Sequence, residues 1–200
     1  MVFVFDLDDT ICDTDGYSEM YIKEFFVRYH FPYKQIATNV RFAEKKFDWD
    51  DETALNWYKE FGDEMMEEFP CKPHAVELIN RLYHAGHNIV IATARATDWH
   101  TDPEGVTLKW IDKVGLKYTR LYIDRIDKEK ICEETNADVF VDDDLKITER
   151  VAKYFEGKPN KRVFLSTTNY NRFKLPPDGV ERVRDFYDFE RKLGLEKVKE

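Results

Sequence analysis

Cysteine is scarce in this chain. The three residues, Cys12, Cys71 and Cys132, lie far apart, are odd in number and include no C-x-x-C pair. Neither a disulfide framework nor a cysteine-based structural zinc site is suggested, and a reducing, cytoplasmic setting is expected. The five histidines, His30, His74, His84, His87 and His100, show no metal-ligand spacing. No apolar run approaches the roughly 20 residues that span a bilayer. Met1 leads straight into Val2-Phe3-Val4-Phe5 without a basic segment, so no membrane span and no targeting signal are expected. Clusters of Lys and Arg are missing as well. With a formal net charge of -9 the chain lacks the basic surface that grips phosphate backbones, which excludes long nucleic acid as a partner. A local site holding a cation and one lysine can still attract a small phosphorylated molecule.

What is present is enough for a packed interior: 200 residues, 42% hydrophobic and 15% aromatic. That length accommodates one domain with a modest insertion. Val2 to Leu7 is a short apolar run of the kind buried on both faces of a sheet, and it ends in Asp6-Leu7-Asp8-Asp9-Thr10. Further runs occur at Asn88 to Ala92, Arg120 to Ile123, Asp138 to Val141 and Arg162 to Leu165, separated by helix-type stretches such as Leu108 to Val114, Lys128 to Thr135 and Leu145 to Phe155. The alternation predicts an α/β fold, a Rossmann-like parallel sheet with helices on both faces. Roughly eighty residues separate the first two strands, far more than a crossover needs. The excess carries helical spacing at Met20, Ile22, Phe25, Phe26 and Tyr29, and at Ala54, Leu55, Trp57, Tyr58 and Phe61. A small helical cap over residues 13–70 is therefore expected, inserted into a catalytic core of residues 1–12 and 71–200. Val180 to Leu195 reads as one terminal helix.

In an open parallel sheet the residues just past the strand ends define the ligand crevice. Here they are Asp6, Asp8 and Thr10 after the first strand, Thr93 and Arg95 after the second, Lys128 shortly after the third, and Asp142 to Asp144 after the fourth. Crowded carboxylates repel one another unless a cation compensates, and an all-oxygen set favours a hard ion such as Mg2+. A divalent ion, an ordered lysine and a hydroxyl are also what an anionic carboxylate needs to approach an anionic phosphoryl group.

The set resembles, in order, the four motifs of the haloacid dehalogenase-like superfamily: D-x-D-x-T as Asp6 to Thr10, the strand-terminal threonine as Thr93, the lysine as Lys128, and the acidic motif as Val139-Phe140-Val141-Asp142-Asp143. The resemblance covers about residues 1–12 and 71–165, and order and spacing carry it. It implies a magnesium-dependent phosphomonoester hydrolase. Asp6 would be the nucleophile, phosphorylated in passing, and Asp8 the general acid and base. Thr93 would hold a phosphoryl oxygen and Lys128 would screen charge. Asp6, Asp142, Asp143 and the Asp8 carbonyl would surround the metal, with Thr10 and Arg95 on the substrate side. Thr93-Ala94-Arg95, followed by Thr107, Trp110 and the stretch from Gly115 to Tyr118, is similar to the 5'-nucleotidase and deoxyribonucleotidase branch, which implies a nucleoside monophosphate as substrate. A phosphosugar phosphatase and a non-catalytic phosphate-responsive binding module remain open. Lys130 competes with Lys128 for the lysine position, Arg95 could equally pair with a neighbouring carboxylate, and the cap aromatics Trp49, Trp57, Tyr17 and Tyr21, which could stack on a nucleobase, are at a spacing that more often forms core. Asp144 reads as a helix N-cap.

Overall fold

The computed structural model describes residues 1–31, 33–97, 100–124 and 127–194. Val2–Phe5 forms β1 inside a six-stranded sheet ordered β3-β2-β1-β4-β5-β6, with every neighbouring pair parallel. The other strands are β2 (Asn88–Ala92), β3 (Arg120–Tyr122), β4 (Val139–Asp142), β5 (Arg162–Ser166) and β6 (Val180–Val183). Parallel strands need cover on both faces, because each crossover lays a helix on one of them. The alternation in β1 divides the interior accordingly. Phe3 and Phe5 enter one core with residues of α4 (Ala75–His84), α5 (Pro103–Val114) and α8 (Phe186–Leu193). Val4 enters a second core with residues of α6 (Lys128–Thr135) and α7 (Leu145–Phe155). The expected α/β architecture is the one observed.

Strand order reverses between β1 and β4. The chain steps outward from β1 to β2 and β3, then returns past β1 to β4, and at that switch the crossovers diverge and open a crevice at the carboxyl ends. Short polar caps fix where the following helices begin. Asp127 accepts a hydrogen bond from the Lys130 backbone N–H, and Asp144 from those of Lys146 and Ile147, so α6 and α7 start at the crevice.

Between β1 and α4 lie α1 (Thr14–Arg28), α2 (Ala43–Phe47) and α3 (Asp51–Glu68). α1 buries Tyr21, Ile22, Phe25 and Phe26; Met20 and Tyr29, which periodicity placed on the same face, are exposed. α3 begins at the N-cap Asp50 and buries Ala54, Trp57, Phe61, Met65 and Met66. The short α2 was not anticipated, since five residues are too few for periodicity to register.

The carboxyl-terminal reading needs correction. The stretch expected as one helix from Val180 is the strand β6, a break at Arg184-Asp185, and the helix α8; Leu195 lies outside the described residues. Val180 and Val183 are buried against β5 while Glu181 is exposed, and Asp185 caps α8 by accepting from the Asp188 N–H at 2.7 Å. α8 is integral to the core: Phe189 packs edge-on against Phe164 at 5.0 Å and Phe5 at 5.9 Å between ring centroids. Phe189→Ala is expected to lower unfolding free energy by about 3–5 kcal/mol, measured by urea titration, whereas a loosely docked tail would lose almost nothing.

Candidate active site

Asp6 directly follows β1, and its N–H still pairs with the Val141 carbonyl at 2.9 Å, which holds it beside the end of β4. There Asp142 and Asp143 emerge. One carboxylate oxygen from each of Asp6, Asp142 and Asp143 lies within 4.8 Å of the others, and all three residues are buried. Lys128, on the first turn of α6 and buried, donates to Asp6 and, at 2.7 Å, to Asp142. Lys130 is exposed. Lys128 and the Arg41 guanidinium, which lies 3.8 Å from Asp143, leave the three carboxylates one formal negative charge in excess, and the Asp6 Oδ2 atom is buried without a partner. An unpartnered buried carboxylate oxygen is costly, so the donor set fits a hard divalent cation.

Electrostatics agree with that reading. Burial pushes the Asp6 carboxyl well above the usual range, Lys128 pulls it back, and Asp142, Asp143 and Asp8 push it up again. Burial raises Asp142 as well, against the pull of Lys128. Burial alone would lower Lys128, but Asp142 and Asp6 outweigh it and keep the ammonium charged. A cation among the acids would relieve this frustration directly.

The turn after Asp6 is shaped by Asp9, whose φ of 56° is left-handed, a region that Asp enters more readily than most residues. Its carboxylate accepts from the N–H groups of Thr14 and Asp15 at 3.0 and 2.8 Å, fixing the start of α1. Burial, then the charge of Asp143, pushes the Asp9 carboxyl up to about 6. Tyr170 donates toward Asp9 and Asp143, and Asn171 donates to the Asp143 carbonyl at 2.9 Å.

Asp8 stands apart from the acidic triad. Arg95 grips its carboxylate with Nε at 2.9 Å and Nη2 at 2.6 Å, and Arg95 Nη1 also donates to Thr107 at 3.2 Å. Burial would raise the Asp8 carboxyl, but the charge and hydrogen bonds of Arg95 outweigh it and hold the pKa below the ordinary value. The Thr93 hydroxyl points to Asp8 Oδ2 at 3.4 Å. Asp6, Asp8, Arg95 and Lys128 open on a cavity of about 500 Å³ whose far wall belongs to α1–α3 and includes Ile22, Trp57, Met65 and Met66. Two polar atoms on that wall have no partner: Trp57 Nε1, on a side chain 1% exposed, and Glu44 Oε2.

No protein-family model matches the chain, and no curated protein matches it in sequence. Solved structures do match in shape. A haloacid dehalogenase-like family protein from Streptococcus pneumoniae superimposes with a TM-score of 0.65 at 11% identity over 98% of both chains. The HAD-hydrolase YfnB of Bacillus subtilis, solved bound to magnesium, gives 0.62 at 14% identity over 96% of this chain and 98% of that one. The D,D-heptose 1,7-bisphosphate phosphatase of Burkholderia thailandensis gives 0.57 at 14% identity over 98% and 99%. The chain has the haloacid dehalogenase-like fold.

On this fold the residues singled out in the sequence gather at one strand-end crevice, with differences in how they are used. Thr10 is fully buried and its hydroxyl lies 3.4 Å from Asp143, so it faces the acidic cluster rather than the cavity. The Asp8 carboxylate belongs with Arg95 and not with the triad. Tyr17 and Tyr21 donate to Glu68 at 2.9 Å each, while Trp57 lines the cavity. Several residues had not been singled out. Tyr170, Asn171 and Lys72 buttress Asp143 and the Asp9 turn from distant loops, Arg41 reaches Asp144 at 3.0 Å, and His100 lines the cavity. Only the fold brings them near, so no local pattern could have marked them.

The Arg95 fork generates a prediction. Removing its charge raises the Asp8 pKa, so Asp8 stays protonated to higher pH. If Asp8 must be protonated to act, the descending limb of the kcat/KM profile should move to higher pH in Arg95→Met, read with an aryl phosphate. An unmoved limb would separate Arg95 from the titration of Asp8.

Proposed function

We propose that this protein is a magnesium-dependent phosphomonoester hydrolase that works through an aspartyl-phosphate on Asp6. The observation that carries the reading is the buried triad of Asp6, Asp142 and Asp143 around Lys128, with one Asp6 oxygen unpartnered and the cavity opening onto it. Asp6, Asp142 and Asp143 would hold the ion. Magnesium bound there supplies charge neutralisation for the phosphoryl oxygens. The Asp6 carboxylate attacks phosphorus and the bond to the leaving oxygen breaks. Lys128 favours the anionic form of Asp6 against the burial that opposes it and orients the carboxylate, and Thr93 offers a hydroxyl to the transferring group. Asp8 protonates the leaving oxygen, then takes a proton from the water that opens the acyl-phosphate. In the structure Arg95 holds Asp8 as a carboxylate, the form required for the second half. Arrival of a phosphate dianion beside it disfavours that charge and draws the proton needed for the first half.

Residues 13–70 act in this proposal as a cap that excludes bulk water over a core of residues 1–12 and 71–200. Among the described residues no helix is long and apolar enough to cross a membrane. The three free thiols fit a cytoplasmic setting.

The leaving group we favour is a nucleoside. A cavity of about 500 Å³ accommodates one, its wall is largely apolar, and Trp57 Nε1 and Glu44 Oε2 are a donor and an acceptor in search of partners. A nucleobase presents both kinds of group, together with a flat face that suits the wall. The fold itself does not fix the leaving group, and a phosphosugar is the competing substrate class.

Phosphate release from nucleoside monophosphates, phosphosugars and an aryl phosphate tests the proposal. Turnover is expected with magnesium, to vanish with chelator, and to be abolished in a folded Asp6→Asn variant. No turnover of any substrate would favour a phosphate-binding module instead. Trp57→Phe keeps an aromatic six-membered ring but removes the N–H with the rest of the indole, so KM for nucleoside monophosphates should rise roughly three- to tenfold, more than for the aryl phosphate. Equal changes for both would detach Trp57 from leaving-group recognition.

A further inference from the structure

Two of the three cysteines, though far apart in sequence, meet across a backbone bridge. Cys12 lies on the segment leaving β1 for α1, Cys71 on the segment joining α3 to α4, and the two form an isolated antiparallel pair. The flanking hydrogen bonds define its type: Asp13 N–H donates to the Pro70 carbonyl at 2.9 Å and Lys72 N–H to the Ile11 carbonyl at 2.8 Å. Bonds on either side of a pair, and none within it, mark a non-hydrogen-bonded antiparallel pair. In such a pair the α-carbons sit about 4.5 Å apart with their side chains close, at the near edge of the disulfide range. Both thiols are free; Cys12 is buried and Cys71 half-buried. Cys132 belongs to the core on the other face of the sheet. The proposed chemistry uses none of the three.

We propose that Cys12 and Cys71 are a reversible disulfide site, oxidised by exchange with a small-molecule disulfide, that pins together the two chain segments joining residues 13–70 to the rest of the protein. The accessible Cys71 thiolate attacks one sulfur of the external disulfide and expels one thiolate, leaving a mixed disulfide. Cys12 gives up its proton and attacks the Cys71 sulfur, expelling the second thiolate. Two cysteine thiols are thereby oxidised, one external disulfide is reduced to two thiols, and the two released protons settle on them.

The location gives the bond a consequence, which rests on the reading of residues 13–70 as a moving cap. Covalently the cap joins the core through two segments, and both pass through this bridge. Rotation of the cap must be absorbed by torsions at or beside residues 12–13 and 70–71, and a covalent link there removes part of that freedom. Cys12 Sγ is also 3.9 Å from Arg95 Nη2, the atom that donates to Asp8 Oδ1. Burial raises both thiols, so exchange is slow at neutral pH and is best driven under mildly alkaline conditions.

The test is incubation of the full chain with oxidised glutathione at about pH 8.5, followed by intact mass and peptide mapping under non-reducing conditions. The expected result is loss of two hydrogens, a Cys12–Cys71 linked peptide, an alkylatable Cys132 and full reversal by dithiothreitol. Aryl phosphate turnover should fall with the link and return on reduction, and Cys71→Ser should keep its turnover in the oxidant. Two thiols that remain alkylatable, or a glutathione adduct that stays on Cys71, would overturn the site. A link formed with turnover unchanged would overturn its hold on the cap. The mass readout is independent of catalysis, so a protein without phosphatase activity that still forms the link would count against the functional reading and not against the disulfide.

Discussion

The structure turns on one buried ammonium. Lys128, at the start of α6, sits among Asp6 from the end of β1 and Asp142 and Asp143 from the end of β4, so three separate parts of the chain meet there. Burying charge is costly unless geometry and hydrogen bonding are complete, so this arrangement demands that β1 and β4 be neighbours in register and that α6 begin where Asp127 caps it. The ammonium does not complete the neutralisation. Even with Arg41 beside Asp143, one formal negative charge and one unpartnered oxygen remain, and that residual frustration is what makes the place chemically useful instead of merely polar.

A second polar system surrounds the first without merging with it. Arg95 and Thr93 engage Asp8, and Thr107 steadies Arg95, so the second carboxylate of the first motif lives in a positive field while Asp6, two residues earlier, lives in a negative one. Opposite environments for neighbouring acids are how one site divides the work of nucleophile and proton carrier. The left-handed turn at Asp9 follows them, and its own carboxylate is spent on the first N–H groups of α1. The helices that form the far wall are thus tied at their root to the motif they cover.

Much of this was legible because it is local. Asn88–Ala92, Lys128–Thr135 and Leu145–Phe155 are elements whose apolar period, polar caps and flanking turns all agree. The reading failed where two short patterns abut. Val180–Val183 alternates over four residues and runs almost directly into the amphipathic α8, so a helix period fitted across both conceals the break; the Asp185 and Asp188 pair, spaced like a cap, was the available signal. Met20 and Tyr29 illustrate a milder failure, since periodicity identifies a stripe but not its edges, and α1 buries a narrower one.

What the sequence determined by itself is the order of the first five strands with the helices of the core between them and the residue types delivered at their ends, because a parallel sheet forces strand ends to one edge whatever the details. Only the tertiary structure decided how those groups are shared out. It committed Arg95 to Asp8, turned Thr10 toward Asp143, and brought Tyr170, Asn171 and Lys72 behind the acids from positions more than a hundred residues from Asp9 or from the far side of the insertion. It also set Cys12 against Cys71 and left Trp57 Nε1 facing an unfilled need. The physical reason is that hydrogen bonds and ion pairs act over a few ångströms in space and are indifferent to separation along the chain, whereas periodicity and capping are written within a few residues of one another.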